Sequence, residues 1–187
     1  MKLMFASDIH GSIFYCNKML EAYERENAEK LILLGDLLYH GPRNDLPKDY
    51  NPKAVIAALN NIKSEILAVR GNCEAEVDQM VLEFPVMAEY MIMYIEDKMV
   101  FVTHGHNFNT SKPPMVKHGD VLIHGHTHIP VIEKAEREGE KYTYINPGSV
   151  SIPKNGSANS YMVYEDGVFT IKSLDGEEIN HINIGLC

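Results

Sequence analysis

Val121-Leu122-Ile123-His124-Gly125-His126-Thr127-His128 is an apolar run of strand length that breaks off into three histidines set two apart, with a glycine among them. A continuous apolar run reads as a strand covered on both faces, so the polar residues after it sit at the rim of a sheet. Imidazole is the commonest side-chain ligand for transition metals, and a strand end of this kind can aim it into a cleft. Four more clusters repeat the grammar: Ser7-Asp8-Ile9-His10-Gly11, Leu34-Gly35-Asp36, Arg70-Gly71-Asn72 and Thr103-His104-Gly105-His106. The alternation of strand signal and polar end decides the fold class.

Outward from these clusters, the first 72 residues read as β-α-β-α-β. Strands are expected at 2–6, 30–34 and 66–69. A helix capped by Ser12 is expected to reach about Asn27, with Met19, Leu20 and Tyr23 on its inner side. Asn51-Pro52 opens a second helix with cap and first-turn proline in the favoured order, and Val55, Ile56, Leu59 and Ile62 form its apolar face. This alternation implies a parallel sheet, and ligands gather at the carboxyl ends of its strands. The long connection from Leu37 to Tyr50, rich in Gly, Pro, Asn and Asp, is expected to line a site. From Tyr90 onward the pattern changes to hairpins, and the second half reads as mostly antiparallel β. Two packed sheets with helices outside, in one domain spanning 1–187, are the simplest solution.

Composition is ordinary for a globular protein, with 45% apolar and 23% charged residues. The net charge of −9 argues against a broad basic face for extended nucleic-acid binding, but not against a small phosphorylated substrate. No apolar run approaches the roughly 20 residues needed to cross a bilayer. The start of the chain carries no basic segment followed by an apolar one, so a cytoplasmic location without membrane association is expected. Cys16, Cys73 and Cys187 are odd in number and lack CxxC spacing, which fits a reducing compartment and argues against a structural zinc ribbon or finger. Exposed hairpin edges leave a homo-oligomer open.

Asp8-Ile9-His10, Gly35-Asp36, Gly71-Asn72, His104-Gly105-His106 and Gly125-His126-Thr127-His128 stand in the order of the motifs of the calcineurin-like metallophosphoesterases, and the chain resembles that family. His40-Gly41-Pro42-Arg43-Asn44, Arg70-Gly71-Asn72-Cys73-Glu74 and Asn146-Pro147-Gly148-Ser149-Val150 make it similar to the bacterial YfcE-type phosphodiesterases in particular. The resemblance covers essentially the whole chain. It implies a four-layer α/β/β/α sandwich of two mixed β-sheets flanked by helices. It also implies two divalent metal ions, manganese first, with zinc, iron(II) or nickel as alternatives. Asp8, His10, Asp36 and His128 would hold one metal, and Asp36, Asn72, His104 and His126 the other, with Asp36 bridging. The implied activity is hydrolysis of a small phosphodiester by a hydroxide held between the metals, with Asp36, Asn72 and His104 at the heart of the catalytic centre.

Cys73 stands where many family members carry a histidine that acts on the leaving group, and a thiol is a poorer acid near pH 7. Protonation of the leaving group then falls to solvent or to His106, which matches no ligand position. Arg43 and Asn44 are candidate phosphate contacts, with a solvated loop as the bland alternative, and His106 is a candidate substrate-facing residue. Cys73 is read as a pocket wall or a weak participant, and His124 as a buried histidine near the ligands. His40, His118 and His181 are expected in surface or structural roles. A phosphomonoesterase or nucleotide hydrolase on the same site, a protein-interaction scaffold of the same fold, and thiol catalysis through Cys73 are the competing readings.

Overall fold

The protein is described by a computed structural model covering residues 1–185, and Cys187 lies outside the described residues. Its first half is β1 (Lys2–Ala6), α1 (Ile13–Glu26), β2 (Lys30–Leu33), α2 (Pro52–Asn60), β3 (Ile66–Ala68) and the short α3 (Glu76–Val81). The caps read from sequence are in place. Ser12 accepts the N–H of Tyr15, Asn51 accepts that of Ala54, and Asn27 closes α1 in the left-handed region at φ 51°. Met19 is buried under α1, whereas Leu20 and Tyr23 only edge the core.

The second half is β4 (Tyr90–Ile95), β5 (Lys98–Thr103), β6 (Val121–His124), β7 (Val131–Arg137), β8 (Glu140–Asn146), β9 (Ser160–Glu165), β10 (Val168–Ser173) and β11 (Glu178–Asn183). One sheet runs β11-β10-β9-β1-β2-β3 and the other β4-β5-β6-β8-β7. The antiparallel expectation for this half needs correcting at β6, which pairs in parallel with both β5 and β8. The hairpin β9-β10 crosses to the first sheet, where β9 runs antiparallel to β1. Strand period places side chains but is blind to partner choice, which rests on contacts between distant segments. The helix α3 and the strand β11 were not anticipated.

Alternation sorts the core into layers. Met4 and Ala6 of β1 face the helices, while Leu3 and Phe5 face the other sheet. Val121 and Ile123 meet them from β6 in the same inter-sheet core. Phe5 is fully buried there, and truncating it to alanine would cost about 3–5 kcal/mol. α1 and α2 cover the first sheet. Over the outer face of the second, Phe108 and Val116 of the 104–120 connection pack on Phe101, Leu122, Tyr142 and Tyr144, so a loop forms that layer. Among the described residues no helix is long and apolar enough to cross a membrane. Because β1, β2, β3, β5 and β6 end on one rim, the polar clusters that follow them converge.

Candidate metal centre

The rim is built from tight backbone turns. Asp8, His10, Asp36, His126 and His128 all adopt positive φ, between 49° and 68°. Left-handed backbone in a residue with a side chain costs of the order of 1–3 kcal/mol and persists only where the surroundings enforce it. Here they do. The Asp8 carbonyl accepts the hydroxyls of Ser149 at 2.9 Å and Ser151 at 3.0 Å, and the Asp8 N–H donates to Gly35 at 3.1 Å. His10 N–H donates to the Asp36 carbonyl at 2.8 Å, locking the first turn onto the second. Gly35 and Gly71 lie back to back. A Cβ on Gly71 would stand 2.6 Å from the Asp36 nitrogen and 2.7 Å from a Glu74 oxygen, so only glycine fits.

Side-chain orientation is equally constrained. The Nδ1–H groups of His10, His104 and His128 donate to the carbonyls of Tyr39, Leu34 and Ile152 at 2.7, 2.7 and 2.8 Å. A ring bonded in this way turns the lone pair of Nε2 toward the cleft. His10 Nε2 and His128 Nε2 lie 3.4 Å apart, and Asp8 Oδ1 is 3.5 and 3.2 Å from them. On the other side, His104 Nε2 is 3.0 Å from Asn72 Oδ1 and 3.1 Å from His126 Nδ1. Asp36 Oδ2 stands between the groups, 3.7 Å from His10 Nε2 and 3.5 Å from His104 Nε2.

Asp8, His10 and His128 thus offer ligand atoms to one point, and Asp36, His104 and His126 to another. Acceptor atoms face acceptor atoms, and Asp8 Oδ1 is fully buried with no hydrogen-bond partner. Buried lone pairs crowded in this way are costly unless a cation sits among them. A set of carboxylate, amide oxygen and imidazole without thiolate fits divalent ions of intermediate hardness. Burial works to raise the Asp8 carboxyl, but the neighbouring His10 and His128 outweigh it and hold the group well below the usual carboxylate range. Burial, then His104, pushes His126 down to about 4, which keeps its ring neutral near pH 7.

All seven candidate ligands therefore come together. His124 does not join them. As expected for a buried histidine near the ligands, it ends β6, and the left-handed turns redirect only the two histidines that follow. His124 is 2% exposed and stacks on Tyr144 with ring centroids 4.4 Å apart. Arg43, Asn44 and Cys73 line a cleft of about 330 Å³ over the ligands. His106 stands off that wall, its ring 5.5 Å from that of His104. Burial, then His104, lowers it. Burial, then Asp36, pushes the Cys73 thiol up.

Three contributors were missed. The Glu74 carboxylate is 3% exposed and accepts the N–H groups of Asp36 at 2.9 Å, Leu37 at 2.7 Å and Gly71 at 2.5 Å. Burial, then Asp36, pushes this carboxyl up. Lys154 lines the cleft, and its N–H donates to the His128 carbonyl at 3.1 Å. Asn146 binds Gly125, Thr127 and Tyr144 through its amide. Glu74 and Asn146 lie inside motifs quoted above, and a buried polar role was their only available signal.

Residues 1–166 match the family model of the calcineurin-like phosphoesterase superfamily domain. The chain is 46% identical over 179 residues to Phosphodiesterase YfcE of Escherichia coli (strain K12), an alignment covering 96% of this chain and 95% of the relative. It is 28% identical over 194 residues to Phosphodiesterase MJ0936 of Methanocaldococcus jannaschii, covering 100% and 99%. Among solved structures, the Escherichia coli phosphoesterase YfcE superimposes with a TM-score of 0.92 at 45% identity, covering 99% of this chain and 100% of that one. The two-sheet sandwich, the ordered motifs and these similarities agree: the chain belongs to the calcineurin-like phosphoesterase superfamily and is an enzyme of that class.

Proposed function

We propose that this chain, acting as one domain over 1–187, is a dinuclear-metal phosphodiesterase that hydrolyses a small phosphodiester. The observation that carries the reading is Asp36 Oδ2 standing between two clusters of candidate ligand atoms, 3.7 Å from His10 Nε2 and 3.5 Å from His104 Nε2. Asp8, His10, Asp36 and His128 would hold one ion, and Asp36, Asn72, His104 and His126 the other. When bound, two divalent cations lower the pKa of water and neutralise phosphoryl oxygens. Manganese is proposed first, with zinc, iron(II) and nickel as alternatives.

The chain's own groups do the rest. Arg43, Asn44 and Lys154 offer donors to the non-reacting oxygens and orient the diester over the cleft floor. A thiol is a weak acid near neutral pH and His106 stands outside the cleft lining, so the leaving oxygen takes its proton from solvent. The rate should therefore fall steeply as the leaving-group pKa rises, and a flat dependence would refute this assignment. Cys16 and Cys73 are unpaired, and a reducing compartment such as the cytoplasm is the proposed setting.

The deciding experiment strips the protein of metal, reloads it separately with Mn, Zn, Fe, Ni or Mg, and offers matched diesters and monoesters. Turnover of diesters alone supports the proposal. Preference for monoesters would favour a phosphomonoesterase, and binding of metals without turnover would favour the scaffold. Asp36→Asn serves as control, since losing the shared carboxylate should weaken both ions together in calorimetry.

A further inference from the structure

The two sheets leave four edges, and three of them are short or guarded. β3 is three residues long, β7 carries Glu133, Lys134, Glu136 and Arg137, and β11 carries Glu178, His181 and two asparagines. Short and charged edges resist pairing with another chain. The fourth edge, β4, reads Tyr-Met-Ile-Met-Tyr-Ile, with no charge and no proline. Tyr90, Ile92 and Tyr94 are 47%, 48% and 76% exposed on its outer face, where Tyr90 stacks on Phe101 at 4.8 Å. Met91 and Met93 turn inward against the inter-sheet core.

The backbone of this edge is open at the same three residues. Glu96 and Asp97 have positive φ, 50° and 58°, and form the two-residue hairpin turn whose flanking residues, Ile95 and Lys98, exchange hydrogen bonds. Alternation then directs the N–H and C=O groups of Met93 and Met91 to β5, and those of Tyr94, Ile92 and Tyr90 away from the sheet. Met99 agrees, since its N–H turns from Tyr94 toward Asp120, just ahead of β6, at 3.2 Å. Among the described residues the outward groups of Tyr90, Ile92 and Tyr94 have no backbone partner in any turn or loop.

We infer that two copies of this chain associate through β4, antiparallel strand beside strand, about a two-fold axis through Ile92. In that register Ile92 faces Ile92 of the second copy, and Tyr90 faces Tyr94. Each facing pair exchanges two N–H···O bonds, and the outer faces join in a Tyr-Ile-Tyr ladder. Glu89 and Glu96 then lie opposite Ile95 and Ala88. A one-residue slip would set Glu89 against Glu96 and turn outward backbone groups onto inward ones. The strip is thus complementary, in charge and in backbone, to its own inverted copy, which makes a second copy its occupant. The exposed parts of the three side chains come to the order of 300 Å², taking roughly 150–250 Å² for a whole aromatic one. A stable complex buries about 800 Å² per partner, so the dimer is reversible, with a dissociation constant of the order of 10–100 µM.

Sedimentation velocity on the full chain reads the association directly, over about 1–500 µM protein in about 0.3 M salt to screen the net charge of −9. The unmodified protein should pass from monomer to dimer across that range. Ile92→Lys places like charges on the axis, and Ile92→Pro removes only an outward N–H, which an edge strand tolerates. Each should weaken the dimer at least tenfold in protein that circular dichroism shows to be folded, and either variant serves if the other does not fold. Oxidation reads the register. Ile92→Cys should form a covalent dimer above the level of the unmodified protein, because facing Cα atoms about 5.5 Å apart suit a disulfide, and Tyr90→Cys should not. An unmodified protein that stays monomeric throughout, a dimer that survives the Ile92 variants, or equal cross-linking at the two positions would overturn the interface.

Discussion

Glu74 holds Asp36 by its backbone. Its carboxylate accepts Asp36 N–H at 2.9 Å and reaches Gly71 N–H at 2.5 Å, so the turns after β2 and β3 close around one buried anion. The Cys73 N–H completes the unit by donating to Asp36 Oδ1 at 2.9 Å. This arrangement frees Oδ2 to face both candidate metal positions.

Glu74→Ala would strand three buried donors, each worth about 1–3 kcal/mol when left unpaired. We expect urea denaturation to show a loss of about 3 kcal/mol or more. Glu74→Gln keeps the volume but turns donors against donors. It should lower metal affinity about 10- to 100-fold, the usual scale for groups that orient ligands. Unchanged affinity in a folded Glu74→Gln protein would show that Asp36 is positioned without it.

Gly71→Ala tests the close approach of the same turns. The added methyl meets Asp36 and Glu74 where no space exists, and overpacking of this kind costs about 1–3 kcal/mol. Both ions should be weakened together, as calorimetric titration can read. Weakening of one ion alone would contradict the placement of Asp36 between them.

Cys73→Ala should retain kcat within about threefold. The thiol lies 3.3 Å from the Asn72 amide and close to the ligand atoms of His10 and Asp36, and burial followed by the Asp36 charge pushes its pKa up. It should also react slowly with iodoacetamide in the unmodified protein. Activity that survives a chelator but disappears in Cys73→Ala would restore thiol catalysis.

Acid stability is expected to depend on Glu26, at the end of α1. Burial works to raise its carboxyl, but Lys172 at 2.8 Å, Tyr161 at 2.7 Å and Lys2 at 3.0 Å outweigh burial and bring it to about 2. A pKa depressed on folding adds stability above the unfolded value near 4.5, and that stability is lost as pH falls toward 2. The span is worth about 3 kcal/mol at most. Denaturation of Glu26→Gln at several pH values should show this part of the acid dependence missing, and an unaltered slope would discount the network.

The strands, caps and polar strand ends were legible because each is local. An apolar run followed by Asp8-Ile9-His10 or Gly35-Asp36 announces a buried strand and its rim without reference to any other segment. The order of those motifs carried the family and the candidate ligand set. Tertiary structure alone decided that β6 runs parallel to its neighbours and that β9 crosses over to β1, since pairing is chosen between segments far apart in the chain. It also decided that His124 turns away onto Tyr144 while His126 and His128 turn inward, because left-handed backbone is enforced by surrounding hydrogen bonds. Glu74, Asn146 and Lys154 gained their roles in the same way. A carboxylate, an amide and an ammonium look ordinary in sequence, and only the groups that fold against them determine what they hold.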